Sequence, residues 1–156
     1  MKNISKKLHN AIFQDSIEEL IEWVNKKGFS VQFDYCIQDE MRPADKLITV
    51  STRQSKENQF YSFLHECGHL ILSKNEKSYR KKYPSSAKLW DKNNYSLQNS
   101  HKYKVDTVAE EIDAWRKGLE IAKRLNLYVD EEKYYNLTAK FVWTYIEYYG
   151  KLASAW

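Results

Sequence analysis

Residues 65–69 read His65-Glu66-Cys67-Gly68-His69, two histidines four apart with a glutamate directly after the first. On a helix, positions i and i+4 share one face, so both imidazoles reach a single ion. The glutamate lies about 100° round the helix, placed to take a proton from a water held there. This H-E-x-x-H arrangement is the donor set and base of zinc-assisted hydrolysis, and the chain's own His and Glu frequencies give it a chance expectation of only about 0.01.

The helical wheel of the same segment supports a cleft-lining role. With His65 at zero, His69 falls near 40°, and Tyr61, Gly68 and Leu72 lie within about 60° on that side. No Lys, Arg or Asp shares the sector. Phe63, Cys67 and Leu70 point the other way, towards a core, so Cys67 reads as a small buried residue rather than a thiolate ligand. Gly68 costs about 1 kcal/mol in a helix interior, which predicts a close approach by another backbone or by substrate.

A catalytic zinc takes three protein ligands, so the third must come from elsewhere. The periodic segment from Val105 to Leu125 offers Glu110, Glu111 and Asp113. With Val108 at zero, Ile112, Trp115, Leu119 and Ala122 define an apolar face, and Glu111 lies about 60° from its centre. Glu110 and Asp113 fall near 200° and 140° and read as surface. A carboxylate at the border of an apolar stripe needs a partner or a metal, so Glu111 is the third ligand of choice. Gly118 lies on the flank of Glu111 and predicts a second close helix contact.

The elements that must position these residues follow from pattern. Ser5–Lys27 has a helical period closed by Gly28. Phe29–Ile37 alternates as a half-buried strand, and Leu47–Val50 reads as a second. The polar, proline-containing stretch between them predicts a hairpin with a long connection. Helices are predicted over Lys56–Leu72, Val105–Leu125 and about Asp130–Tyr149, the last crowded with aromatic residues, which reads as core. Residues 73–104 read as a long loop. The class is therefore α+β, one domain over residues 1–156, with the chemistry in about 29–125 and an aromatic helix after it.

Composition agrees. The 156 residues are 42% hydrophobic and 29% charged, with 4 Gly, 2 Pro and 2 Cys, which excludes a disulfide-stapled scaffold and a long flexible linker. No apolar run reaches the roughly 18 residues of a membrane span, and the basic N-terminus lacks a signal-peptide core, so a cytoplasmic protein is expected. A net charge of +4 is too mild to point to a nucleic-acid partner.

KENQFYSFLHECGHL followed by VAEEIDAWRKGLEIA resembles the zinc metallopeptidase domain of the ImmA/IrrE family, over about residues 29–125. In that family a strand precedes the H-E-x-x-H helix and a later helix supplies a glutamate in an E-x-x-A motif, which Glu111-Ile112-Asp113-Ala114 matches. Trp115 and Gly118 stand where the family pattern has a polar residue and alanine, and no helix-turn-helix module is evident. The resemblance implies a zincin-like fold with an antiparallel-containing sheet, and a Zn²⁺ held by His65, His69 and Glu111 with Glu66 as general base. It also implies a cytosolic endopeptidase that cuts a protein regulator, such as a helix-turn-helix repressor of a phage, mobile element or stress operon.

Three further expectations complete the site. Leu47, Ile48, Thr49 and Val50 are expected to align an extended substrate by strand addition. An oxyanion donor is required, and of Tyr95, His101 and Tyr103 the sequence favours His101. The basic run Lys74, Lys77, Arg80, Lys81 and Lys82, interleaved with Tyr79 and Tyr83, reads as a solvated loop. His9 reads as surface. The competing functional class is a catalytically silent zincin-fold module that acts by protein or nucleic-acid contact.

Overall fold

The computed structural model describes residues 2–89 and 95–153. The long helix α1 (Lys2–Asn25) buries Phe13, Ile17, Leu20 and Val24, whose spacings of four, three and four make one stripe. Gly28, at a φ of 82°, turns the chain out of the helix in the left-handed conformation that glycine adopts without a Cβ penalty.

A three-stranded sheet follows. β1 (Ser30–Asp34) keeps the expected alternation of side chains. β2 (Glu40–Arg42) and β3 (Leu47–Ser51) complete it in the order β1-β3-β2. β1 runs parallel to β3 over five residues, and β2 pairs antiparallel with Leu47, Ile48 and Thr49. The predicted hairpin between the first two strands is therefore corrected. The hairpin is β2–β3, turned at Lys46 with a φ of 50°, and β1 lies on the far side of β3. The reason lies in β3 itself. Ile48, Thr49 and Val50 are buried, and a buried strand needs both edges hydrogen-bonded. Its second partner comes from the polar connection, where Thr49 Oγ1 also donates to the Gln38 carbonyl at 2.7 Å.

α2 (Lys56–Ser73) starts at Ser55, whose hydroxyl accepts from the Asn58 N–H at 3.2 Å. It is the central element, buried from Gln59 to Gly68, with α1 and the sheet on one side and α5 (His101–Arg124) on the other. α5 begins four residues earlier than the periodicity suggested, because the Ser100 hydroxyl caps it by accepting from Tyr103 N–H.

The predicted long loop is largely folded as α3 (Glu76–Lys82), α4 (Pro84–Leu89) and a 3₁₀ turn at Tyr95–Asn99; residues 90–94 lie outside the described set. Tyr79, Tyr83 and Ala87, spaced by four, form a second small core against Leu72 and Ala109. The two tyrosines are thus buried rather than part of a basic surface.

α6 (Glu131–Ala153) closes the domain. Tyr134 and Val142 are buried, but Tyr135, Trp143, Ile146 and Tyr148 are exposed, so only part of this aromatic helix is core. Among the described residues no helix is long and apolar enough to cross a membrane.

Candidate metal centre

Two glycines let α2 and α5 approach closely enough to share an ion. A Cβ on Gly68 would run into the Ala114 carbonyl, and one on Gly118 would lie 2.6 Å from both the Leu64 carbonyl oxygen and the Tyr134 hydroxyl. The backbones therefore pack at a distance that only glycine permits. That contact brings Glu111 of α5 over the two histidines of α2.

His65 Nε2 lies 3.2 Å from His69 Nε2 and 3.1 Å from Glu111 Oε2, and His69 Nε2 lies 3.4 Å from Glu111 Oε1. Two donors each about 2.0–2.1 Å from a tetrahedral metal ion sit about 3.3 Å apart; the two imidazoles meet that spacing, and Glu111 faces each of them with a different carboxylate oxygen. The two imidazoles and the carboxylate form the His/Glu group among the described residues that can hold a metal ion. All three side chains are nearly buried, with 11%, 14% and 12% exposure. The donor set, two imidazoles and a carboxylate, is of the kind that holds a divalent transition-metal ion.

The electrostatics follow from this crowding. Burial holds the His65 pKa below its ordinary value, opposed by the Glu111 carboxylate. Burial works against charge on His69 as well, but hydrogen bonds to Glu110 and Glu111 outweigh it and raise the pKa to about 10. Glu111 stays well below the usual carboxylate range despite its burial, because both histidines stabilise its charge. Glu66 lies on the same helix with Oε1 3.9 Å from His65 Nε2. Burial, helped by the neighbouring Glu111 and Asp39 charges, pushes its pKa up to about 8.

The partners of the two histidines differ. His65 stacks on the Trp115 indole with ring centroids 4.4 Å apart and planes at 21°, and its Nδ1 has no hydrogen-bond partner among the described residues. His69 Nδ1 lies 3.4 Å from Glu110 Oε1. Glu110 is therefore corrected from surface to the margin of the site, since α4 packs on α5 and the Tyr79 hydroxyl of α3 reaches Glu110.

Two hollows meet at the triad. One, of about 380 Å³, includes Met41, Pro43, Tyr79, Leu89, Tyr103 and Thr107. The other, of about 400 Å³, includes Ile37, Ser51, Arg53, Trp115, Phe141 and Thr144. Asp39, His65, Glu66, Glu111 and Tyr145 line both. The result is a cleft that passes across the candidate centre.

The remaining predicted site residues are placed differently. His101 is exposed and lines a separate hollow with Ser85 and Asp106, away from the triad. It sits at the first turn of α5, which carries it outward. Tyr103 does line the cleft, and the side chain of Tyr95 lies outside the described set. Leu47, Ile48 and Thr49 have both strand edges occupied, so they cannot accept another strand. The edge bordering the cleft is β2, whose Glu40 and Met41 line the first hollow. Tyr145 was missed, because an aromatic helix gives no signal for which of its tyrosines turns inward. Burial first, and then Glu111, raise its pKa above the ordinary phenol value.

No protein-family model, no curated protein and no solved structure matches the chain.

Proposed function

We propose that this chain is a zinc-dependent endopeptidase of the ImmA/IrrE kind that cuts a specific protein regulator, with a helix-turn-helix repressor as the substrate expected from that resemblance. The observation that carries the reading is the triad of His65, His69 and Glu111, whose ligand atoms gather within 4.8 Å of one another, with Glu66 beside it. A bound Zn²⁺ would supply Lewis acidity, polarising a carbonyl and making water a stronger acid.

Glu66 is the base. Burial gives the Glu66 carboxyl a raised proton affinity, and a bound Zn²⁺ would favour its ionised form, which would take the proton of the attacking water and return it to the leaving amine. Tyr145 takes the oxyanion role that the sequence assigned to His101, because it lines the cleft on both sides of the triad. Its raised pKa keeps the phenol protonated, and therefore a donor, at neutral pH. The β2 edge, rather than β3, offers backbone groups to an extended peptide lying along the cleft. Two hollows flanking the triad give room for substrate residues on both sides of the cut bond, as an endopeptidase requires.

Metal analysis of the purified protein tests the first half, with about one zinc per chain expected. Co-expression with a candidate repressor, with and without Glu66→Gln, tests the second. Cleavage that needs Glu66 supports the peptidase, whereas full biological activity of Glu66→Gln assigns the fold to a binding role.

A further inference from the structure

The cluster of carboxylates and tyrosines behind the centre is used by none of the chemistry above. We propose that Glu110, held by Tyr79, is the positioning residue that fixes His69 for metal binding; this rests on His65, His69 and Glu111 being the ligands.

His69 is bracketed by two carboxylates from consecutive residues of α5. Its Nε2 faces Glu111 Oε1 and its Nδ1 faces Glu110 Oε1, each at 3.4 Å. An imidazole whose Nδ1–H points to a carboxylate keeps its Nε2 lone pair for the ion, and the contact fixes the ring plane as well as the tautomer. Glu110 is itself held by its other oxygen, because the Tyr79 hydroxyl donates to Glu110 Oε2 at 2.6 Å. Tyr79 is 4% exposed and packed against Tyr83, so the tether is rigid. The arrangement runs from α3 through α5 to the second histidine of α2. His65 lacks such a carboxylate and lies instead against Trp115.

The same layer contains an internal control. One turn along, the Tyr83 hydroxyl donates to Asp113 Oδ2, also at 2.6 Å, and Lys82 joins that carboxylate at 2.7 Å. Tyr79 and Tyr83 are four apart, and Glu110 and Asp113 three apart, so the two pairs form a ladder from α3 and the Tyr83 that caps it to α5. Both pairs fasten the same stretch of chain to α5, but only the first reaches a histidine. A structural role predicts equal consequences for the two; a positioning role separates them.

The experiment is a zinc titration in competition with a chromogenic chelator, with a thermal melt of each variant alongside. Glu110→Gln should weaken zinc binding about 10–100-fold. Tyr79→Phe should weaken it less, and its loss should shrink in the Glu110→Gln background, because its hydroxyl donates to that carboxylate. Asp113→Asn and Tyr83→Phe should lower the melting temperature yet leave zinc affinity within about threefold of the parent. If Glu110→Gln does not fold, Tyr79→Phe, which removes one hydroxyl, carries the same test. Glu110→Gln binding zinc as tightly as the parent overturns the positioning role, as does an Asp113→Asn variant that loses as much affinity. A parent protein that binds no zinc overturns the reading of the centre itself, and the positioning role with it.

Discussion

Gly68→Ala is the most informative single change, because it adds one methyl group at the contact that assembles the site. That Cβ would lie 2.7 Å from the Ala114 carbonyl carbon and 3.0 Å from its Cα. Carbon atoms settle about 3.5–4.0 Å apart, so α5 must retreat by roughly 1 Å. Alanine gains about 1 kcal/mol of helix propensity over glycine, which opposes the effect. Overpacking costs about 1–3 kcal/mol and more when the obstacle is backbone, leaving a net loss of about 2 kcal/mol. For a chain of this size that is a fall of about 4–8 °C in melting temperature. Ala114 is three residues beyond Glu111, so the retreat carries Glu111 away and opens its 3.1 and 3.4 Å separations from the histidines to roughly 4 Å. Zinc affinity should then fall at least about tenfold. Gly118→Ala makes a milder clash about one turn from Ala114 and should cost stability with less effect on zinc. A Gly68→Ala protein that melts at or above the parent would refute the packing argument. One that loses stability but binds zinc normally would refute its link to the centre.

Further outcomes follow from the same geometry. Glu66→Gln should retain zinc and lose about 10²–10⁴ in turnover, measured on the cleaved regulator. Tyr145→Phe should lower kcat about 10²–10³-fold with zinc content unchanged, whereas His101→Ala, on an exposed turn outside the cleft, should turn over like the parent. His65→Ala combined with His69→Ala should abolish zinc in elemental analysis. Zinc at about 100 times its Kd should stabilise the parent by about 2.7 kcal/mol over the chelator-treated protein, read as a rise in melting temperature, and should not stabilise the double variant.

The centre was the most legible part of the sequence, for a physical reason. His65, Glu66 and His69 sit within five residues, so their mutual placement is set by helix geometry alone. Glu111 is 42 residues beyond His69, yet the border of an apolar stripe has only one inward-facing carboxylate to offer. Gly68 and Gly118 gave the close approach of the two helices, since a glycine in a helix interior is costly unless something needs the space. His101 and Tyr145 show where this reasoning ends. Which donor enters a cleft depends on how whole helices dock, and no local spacing encodes the docking of α6.

The misread segments share another cause. A wheel assigns one buried side to a helix, but α5 is covered on two: α2 lies on its apolar stripe, α4 packs on it as well, and Tyr79, Lys82 and Tyr83 reach Glu110 and Asp113. Those carboxylates look solvated because their partners are phenols, and the phenols were hidden among lysines in a stretch read as a loop. Pro84 added to that reading, although proline is well suited to the first turn of a helix, where it occurs here in α4. The informative pattern was the spacing of Tyr79, Tyr83 and Ala87, a stripe of period four set against carboxylates three apart on the facing helix. The hairpin was misread for a related reason: the buried run Ile48-Thr49-Val50 requires partners along its edges, and the second came from the polar connection itself. In both places a polar segment was read as solvent-facing when its polarity matched unsatisfied groups on a neighbouring element. A buried strand or a two-sided helix therefore predicts that some adjacent polar stretch is ordered, and the residues able to satisfy it are the ones to test.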